Sequence, residues 1–203
     1  MRPRPTLFIM AKLPVAGRVK TRLGREIGMV RAAWWMRHQL TRRVRDLTDP
    51  RWDTLLAVDP FPALTSPALP PIPRLPQGRG DLGGRMARLL AGQGPVVLIG
   101  GDIPGVTKNH IRRAFRALGT SDFTLGPATD GGFWMAGHAN RRPLPPRLFQ
   151  SVRWSTEHAL SDSMATLGDR TVSLTDTLAD IDTAADLARF PATAPARHVR
   201  PVP

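Results

Sequence analysis

The chain has 203 residues, no cysteine and a formal net charge of +13 at pH 7. This length fits one domain with a substantial core, and the lack of cysteine excludes disulfides, thiolate metal sites, redox dithiols and a cysteine nucleophile. No apolar run reaches the roughly 20 residues of a membrane span, and the first residues do not resemble a secretory signal, so we expect a cytoplasmic protein.

The positive charge is spread along the chain rather than gathered in one groove. Only three of the 29 basic residues are lysines, and the arginines are scattered over most of the length. Tyrosine is absent, and no series of aromatic residues alternates with the cations to stack nucleic-acid bases. We therefore expect no nucleic-acid partner, although a positive field attracts small polyanions such as nucleotides.

The predicted elements alternate between strands and helices along the chain. Apolar runs typical of buried parallel strands occupy residues 6–11, 53–58, 95–100, 123–128, 133–137 and 171–175. Helical periodicity occupies residues 25–47, 84–91, 107–118, 156–167 and 183–189. This order predicts an α/β fold, in which a mostly parallel sheet has helices on both faces. In such a fold, ligands bind at the carboxyl ends of the strands.

Local patterns within these elements make more detailed predictions. In the longest helix, the spacing assigns Ile27, Val30, Trp34, Leu40, Val44 and Leu47 to one buried face. Thr107, Thr156 and Thr183 are predicted helix N-caps. Thr183 and Asp186, three residues apart, have the spacing of a capping box.

Two proline-rich stretches interrupt the alternation. Residues 59–76 carry seven prolines and are predicted to form an extended loop rather than a strand of the sheet. The basic, proline-rich residues 191–203 are predicted to have little order. The folded unit is therefore expected to be a single domain over residues 1–190.

Four cations follow the first predicted strand. In "AKLPVAGRVKTRL" they are Lys12, Arg18, Lys20 and Arg22. We name residues 12–22 the basic loop. Because it follows a strand's carboxyl end, we expect the loop to hold the phosphates of a nucleotide, with Pro14 and Gly17 supplying the tight turns that phosphate approach requires. A solvated surface loop is the alternative, since arginine is abundant throughout the chain.

Two nucleotide-binding motifs match only in part. "VAGRVKT" lacks the first glycine of a P-loop, and Lys20 does not follow Gly17 directly. "GRGDLG" at residues 78–83 has the spacing of a dinucleotide fingerprint, with Asp102 about 20 residues later. Prolines precede it, however, where the fingerprint requires a buried strand. Both motifs are disfavoured.

Aspartates follow three of the later apolar runs. Asp102, in "LIGGDIPG", ends a strand and is placed to hold a divalent cation, although a turn-forming or capping role is the alternative. Asp130 precedes Gly131 and Gly132, which either form a hairpin turn or leave room for a ligand against bare backbone. In "DTLADIDTAADL", Asp180 or Asp182 could complete a metal site.

Taken in order, these motifs resemble a known family. "AKLPVAGRVKTRL", "GDLGGRM", "LIGGDIPG", "LGPATDGGFWMAG", "VRWST" and "DIDTAADL" span about residues 6–190. They resemble uncharacterised transferases described as radical-SAM/selenodomain-associated, in the nucleotide-diphospho-sugar transferase superfamily. The first, third, fourth and last motifs are also similar to phospholactate guanylyltransferases. The resemblance implies a GT-A fold that binds a nucleotide with Mg²⁺ or Mn²⁺.

The same resemblance assigns roles to particular residues. It places Lys12, Arg18, Lys20 and Arg22 on the triphosphate or its acceptor. We also expect the nucleotide to contact Gly17, Asp81, Gly131 and Gly132. The resemblance implies that Asp102 holds the metal and that Asp182 is the second ligand. Gly84 stands where family members often have an acid, which leaves a catalytic contribution at that position in question.

Three functions are compatible with this pattern. The leading one is metal-dependent nucleotidyl transfer, in which a small phosphorylated or carboxylate acceptor attacks a nucleoside triphosphate and pyrophosphate leaves, with Lys20, Asp102 and Asp130 as catalytic residues. Glycosyl transfer from a nucleotide-sugar is the second. A catalytically weak nucleotide-binding module is the third, because of Gly84.

Overall fold

The computed structural model describes residues 3–179, 181 and 183–189. Its strands are β1 Thr6–Lys12, β2 Asp53–Asp59, β3 Arg74–Pro76, β4 Val96–Gly100, β5 Phe123–Pro127, β6 Phe133–His138 and β7 Val172–Leu174. They form one sheet in the order β3-β2-β1-β4-β6-β5-β7. Within the described residues, β6 alone runs antiparallel to its neighbours, β4 and β5.

Helices cover both faces of this sheet. They are α1 Thr21–Ile27, α2 Met29–Leu47, α3 Leu82–Leu90, α4 Lys108–Ala117, α5 Ala159–Ala165 and α6 Ala184–Arg189. Side chains alternate along β1, so Leu7 and Ile9 pack in one core cluster with α2 and α4, whereas Phe8 packs in another with α3 and α5. The predicted α/β fold with a mostly parallel sheet is confirmed.

The proline-rich segment 59–76 differs from its prediction. Its last three residues form β3, which pairs in parallel with β2 at the edge of the sheet. An edge strand tolerates proline because one of its sides makes no ladder hydrogen bonds. The guanidinium of Arg74 holds the preceding turns by donating to the carbonyl oxygens of Leu64, Ser66, Leu69 and Pro70. The prediction of a loop without any strand was therefore wrong.

The predicted helix over 25–47 is two helices, α1 and α2. They meet at Gly28, whose φ of 95° ends the first helix and begins the second. The predicted buried face was wrong in its first half, because Val30 and Trp34 are 65% and 61% exposed. Ala32, Ala33 and Met36 are buried there instead, which continues the spacing of Leu40, Arg43, Val44 and Leu47.

Two of the three predicted helix caps are confirmed. Thr107 precedes α4, and its N–H donates to Nδ1 of His110 at 3.1 Å. Thr183 and Asp186 form the predicted capping box, in which the N–H of Thr183 donates to the Asp186 carboxylate at 2.9 Å and the N–H of Asp186 donates to Oγ1 of Thr183 at 3.1 Å. Thr156 does not cap α5, which begins after His158.

Residues 191–203, predicted to form a tail with little order, lie outside the described residues. So does Asp182, the predicted second metal ligand. Among the helices described above, none combines the length and apolar character needed to cross a bilayer.

Candidate functional site

A cavity of about 660 Å³ opens at the carboxyl ends of β1 and β4. These strands are neighbours at the centre of the sheet, so the residues that follow them meet at one edge. Its lining comes from the basic loop, the Asp102 turn, α2, α3 and β6. The volume lies within the range of about 300–1,000 Å³ that is typical of small-molecule sites.

All four predicted cations of the basic loop line this cavity. They are Lys12, Arg18, Lys20 and Arg22. The loop continues from β1 and turns back through two residues in left-handed conformation, Gly17 with a φ of 76° and Lys20 with a φ of 46°. The reversal at Lys20 directs the chain into α1. The cluster of cations was therefore predicted from the sequence, and in the structure all four line the same cavity.

Lys20 and Asp102 form an ion pair at this cavity. Lys20 Nζ lies 2.7 Å from Oδ2 of Asp102, although 82 positions separate the two residues in the sequence. The Lys20 side chain is only 8% exposed and that of Asp102 is 31% exposed. Solvent screens this pair less than a pair at the surface. The motifs "AKLPVAGRVKTRL" and "LIGGDIPG" are therefore in contact in the folded protein.

The turn that carries Asp102 is fixed from both sides. The N–H of Gly101 donates to the carbonyl oxygen of Met10 at 3.0 Å and so ties the turn to β1. A side chain at Gly100 would place its Cβ 2.9 Å from Oδ1 of Asp102, so glycine is required there for this position of the carboxylate. Farther along, the buried Arg43 donates to the carbonyl oxygen of Val106 at 2.6 Å. Burial lowers the pKa of Arg43.

The charge of the cavity suits a polyanion. Its described lining holds four cationic side chains and one carboxylate, that of Asp102. No group of three or more acidic or histidine side chains with the geometry of a metal site occurs among the described residues. One carboxylate is nevertheless sufficient for Mg²⁺, which proteins often bind through one or two carboxylates together with substrate phosphates. The single carboxylate fits a metal ion that is bound jointly by Asp102 and a phosphate ligand, rather than one that is enclosed by protein ligands alone.

Several lining residues were not predicted from the sequence. Gln77 is buried at the end of β3 and donates from Nε2 to the carbonyl oxygens of Ala11 and Ala57, at 3.2 and 2.9 Å. Its position could have been predicted only if β3 had been identified as a strand. Methionines from four different elements also line the cavity, and their apolar side chains gave no sequence signal beyond that of a core. They are Met10, Met36, Met86 and Met135.

Asp130, Gly131 and Gly132 lie in the turn between β5 and β6, and none of them lines the cavity. The Asp130 carboxylate is exposed and accepts the N–H of Gly132 at 2.9 Å. A Cβ on Gly131 would lie 2.3 Å from the carbonyl oxygen of Glu157, because the segment before α5 crosses the turn. Of the two predicted alternatives, the turn is the one observed, and the space beside Gly131 is filled by the chain itself.

Replacing Gly131 with alanine is expected to lower the free energy of unfolding by about 2–4 kcal/mol. The residue has a φ of 84°, and the added Cβ would collide with the Glu157 backbone. Gly168→Ala is the matched control, because its φ is 62° but no atom lies within 4 Å of the added Cβ. Urea denaturation measures both variants, and equal losses of stability would contradict the close approach.

Asp81 and Gly84 also lie outside the described lining of the cavity. Asp81 caps α3, and its Oδ1 accepts the N–H of Gly84 at 2.8 Å. The neighbouring Leu82 does line the cavity. An N-terminal cap therefore accounts for the carboxylate of Asp81 in this structure, while its predicted nucleotide contact stays a prediction.

The fold is shared with several solved structures. A proposed nucleotide-diphospho-sugar transferase of Desulfovibrio desulfuricans G20 superposes with a TM-score of 0.81 and 27% identity, over 93% of this chain and 87% of that one. CMP:2-keto-3-deoxy-manno-octonic acid synthetase, solved with CTP, gives a TM-score of 0.55 at 8% identity, over 93% and 97% of the two chains.

A further match is 4-diphosphocytidyl-2C-methyl-D-erythritol synthase of Anaerococcus prevotii, with a TM-score of 0.51 and 10% identity over 93% of this chain and 97% of that one. At such low identity the two synthetases show the fold alone. The predicted GT-A fold of the nucleotide-diphospho-sugar transferase superfamily is thus confirmed.

No curated protein matches the sequence. Residues 44–156 match the family described as "Uncharacterized protein conserved in bacteria (DUF2064)". This segment runs from the end of α2 to the residues before α5 and so includes Gln77, Met86 and Asp102 of the cavity. The match covers more than half of the chain, which therefore belongs to the DUF2064 family.

Proposed function

We propose that the protein is a metal-dependent nucleotidyltransferase, with residues 1–190 as its transferase domain. The observation that carries this proposal is the ion pair of Lys20 and Asp102 in a cavity with three further cations. The four cations and the carboxylate of Asp102 give the described lining a net charge of +3, which favours a polyanion such as a triphosphate. The similarity of the motifs to phospholactate guanylyltransferases supports nucleotidyl rather than glycosyl transfer.

The proposed reaction is a displacement at the α-phosphorus of a nucleoside triphosphate. An oxygen of the acceptor's phosphate or carboxylate forms a bond to this phosphorus. The bond from the α-phosphorus to the oxygen that bridges to the β-phosphorus breaks, and its electron pair leaves with pyrophosphate. The basic loop neutralises the charge that develops on the leaving group, and it holds both reactants in line.

Asp102 would hold Mg²⁺ or Mn²⁺ in this proposal, with Asp182 as the proposed second ligand. The bound metal would add positive charge against the phosphate oxygens. Lys20 is positioned to move between the carboxylate of Asp102 and a phosphate, since its ammonium already lies at the cavity wall.

This chemistry does not require a general base. A phosphate or carboxylate acceptor is already an anion at neutral pH, so no proton has to be removed before it attacks. The exposed position of Asp130 in the β5–β6 turn is compatible with a mechanism that needs no general base. The role of Asp130 as a catalytic residue beside the acceptor is therefore not part of the proposed mechanism.

Glycosyl transfer is the second candidate. The observation that favours it is the likeness, at 27% identity, to the D. desulfuricans protein that is a proposed nucleotide-diphospho-sugar transferase. In this reaction the same cations would stabilise a departing nucleoside diphosphate. The two candidates differ in the donor that the cavity binds.

A thermal-shift comparison of nucleoside triphosphates with nucleotide-sugars, each with and without Mg²⁺, separates the candidates. At a hundred times its Kd the preferred donor is expected to add about 2.7 kcal/mol of stability, or roughly 5–11 °C in the melting temperature of a domain of this size. We expect this shift for a triphosphate with Mg²⁺, followed by pyrophosphate release when phosphorylated acids are added. A shift with nucleotide-sugars alone would favour glycosyl transfer. Tight binding of a nucleotide without formation of any product would support the third candidate, a catalytically weak nucleotide-binding module.

A further inference from the structure

The helix α2 lies behind the basic loop. Val19, the neighbour of Lys20 in that loop, is 6% exposed and packs in a cluster with Ala33 and Met36 of α2. The chain then turns at Lys20, in left-handed conformation, and enters α1. The packing of Val19 therefore fixes the loop relative to α2, and with it the point from which the Lys20 side chain extends.

The same helix lies behind the turn that carries Asp102. The backbone of Gly101 passes so close to α2 that an added Cβ would lie 3.2 Å from Cδ1 of Leu40 and 3.5 Å from Cε of Met36. Met36 is thus adjacent to the residues that precede both partners of the ion pair. Both partners extend from backbone that rests on one helix.

Arg43 ties α2 to the far end of the Asp102 turn. It follows Leu40 by three positions and so lies on the same face of the helix. Its guanidinium donates to the carbonyl oxygen of Val106 at 2.6 Å, which is the only side-chain hydrogen bond between α2 and residues 101–107 among the described residues. The N–H of Val106 donates in turn to the carbonyl oxygen of Ile103 at 3.4 Å. Because this turn directly follows Asp102, a shift at Val106 is passed on to Asp102.

Burial makes Arg43 a costly residue at this position. It is 3% exposed, and none of the ion pairs between described residues includes it. Its Nε is buried without a hydrogen-bond partner. An apolar side chain would avoid both costs but could not donate to Val106. Packing of the core alone therefore does not explain the arginine.

From these contacts we propose that Arg43 is a positioning residue, which holds Asp102 against Lys20 through the carbonyl group of Val106. The helix α2 then sets the distance between the cation and the carboxylate before any ligand binds. The catalytic consequence rests on the proposed nucleotidyl transfer, in which Asp102 holds the metal. The geometric consequence does not, and the two are measured separately.

Chemical labelling of lysines tests the position of Asp102 without nucleotide or metal. Nζ of Lys20 is shielded from an amine-reactive reagent, because it lies 2.7 Å from the Asp102 carboxylate and its side chain is 8% exposed. Lys12 belongs to the same loop but is exposed, so it serves as the internal reference. The initial rate of acetylation by acetic anhydride is measured at each lysine by mass spectrometry.

Arg43→Met removes the hydrogen bond to Val106 but keeps a long side chain in the core. We expect it to raise the labelling rate of Lys20 about three- to tenfold, with Lys12 unchanged within about twofold. Arg43→Lys keeps a donor and is expected to stay within about twofold of wild type. Arg45→Met is the matched control, because Arg45 lies on the same helix with a side chain that is 76% exposed. Arg43→Gln, which is polar but shorter, replaces Arg43→Met if melting curves show that the latter is not folded.

A double-mutant cycle shows whether Arg43 acts through Asp102. Asp102→Asn alone should also raise the labelling rate of Lys20. Combining it with Arg43→Met should give a rate within about twofold of that of the faster single variant, because both changes remove the same contact. Independent actions would instead multiply the two increases.

Kinetics with the triphosphate and Mg²⁺ separate positioning from a general loss of structure. We expect Arg43→Met to lower kcat for pyrophosphate release about tenfold and to leave KM for the triphosphate within about threefold, because the basic loop is retained. Arg43→Lys should restore kcat. A merely structural role would lower the melting temperature and leave kcat unchanged for the folded protein.

Three results would overturn the positioning role. They are an unchanged labelling rate of Lys20 in the Arg43 variant, equal increases at Lys12 and Lys20, and multiplied increases in the double variant. The expected labelling without any pyrophosphate release by the wild-type protein would support the positioning role and count against nucleotidyl transfer instead.

Discussion

Asp102→Asn is expected to lower kcat/KM for pyrophosphate release by about 10²–10³-fold. Asparagine keeps the size of the side chain beside Gly100 but removes the only carboxylate in the described lining of the cavity. The loss removes the charge that would hold a divalent cation against the phosphates. Steady-state pyrophosphate release, measured over a range of Mg²⁺ concentrations, gives both the turnover and the Mg²⁺ requirement.

Asp176→Asn is the matched control for this substitution. Asp176 pairs with Arg113 at 2.8 Å and is 37% exposed, close to the 31% of Asp102, but it lies outside the cavity lining. Removing this ion pair of similar exposure is expected to leave the rate of pyrophosphate release within about twofold of the wild-type rate. The proposed role of Asp102 is wrong if its Asn variant retains more than a tenth of wild-type activity with an unchanged Mg²⁺ requirement.

The elements that position the site could be predicted because each has a strong local signal. The runs of β1 and β4 are short, apolar and followed by glycine or a cation, which is typical of strands that end at a ligand site. The topology of a parallel sheet then brings together two strand ends that are distant in the sequence. The basic loop and Asp102 were each predicted to follow the carboxyl end of a strand, and Lys20 Nζ lies 2.7 Å from Oδ2 of Asp102.

Features that depend on tertiary packing were not predictable in the same way. The strand β3 is short and ends in proline, so it has no strand signal of its own, and it forms because β2 leaves an open edge. The phase of α2 depends on the break at Gly28, which a continuous helical pattern does not indicate. The exposure of Trp34 follows from that phase.

The turn at Gly131 illustrates a different limit. Its sequence is compatible with a hairpin or with a ligand against bare backbone, since both require a small residue. The choice is made by Glu157, 26 positions later, whose backbone fills the space. The four methionines among the lining residues are a similar case, because they come from elements that meet only in the folded protein.

Lys20→Met is expected to change two measurements in opposite directions. Pyrophosphate release should fall about 10²-fold, because the phosphates lose a positive charge at the cavity wall. Binding of Mn²⁺ without nucleotide should tighten about three- to tenfold, because the ammonium at 2.7 Å no longer competes for the Asp102 carboxylate. Methionine has nearly the length of lysine and so preserves the packing of this largely buried side chain. Proton relaxation or electron paramagnetic resonance measures the Mn²⁺ affinity independently of turnover.

Lys108→Met is the control, since Lys108 is the third lysine of the chain, lies 4.0 Å from Asp49 and is outside the cavity lining. Neither measurement should change for it. The opposite directions separate this prediction from a loss of structure, which would weaken both catalysis and Mn²⁺ binding, and from Asp102→Asn, which is expected to weaken both as well.

If Lys20→Met weakens Mn²⁺ binding, Lys20 supports the metal site rather than competing for it. In that case a cation could bind before the nucleotide, and Lys20 would not link the two binding events. If Mn²⁺ binding tightens as expected, Lys20 occupies Asp102 until a phosphate draws it away, and the protein then favours a metal that arrives together with its nucleotide.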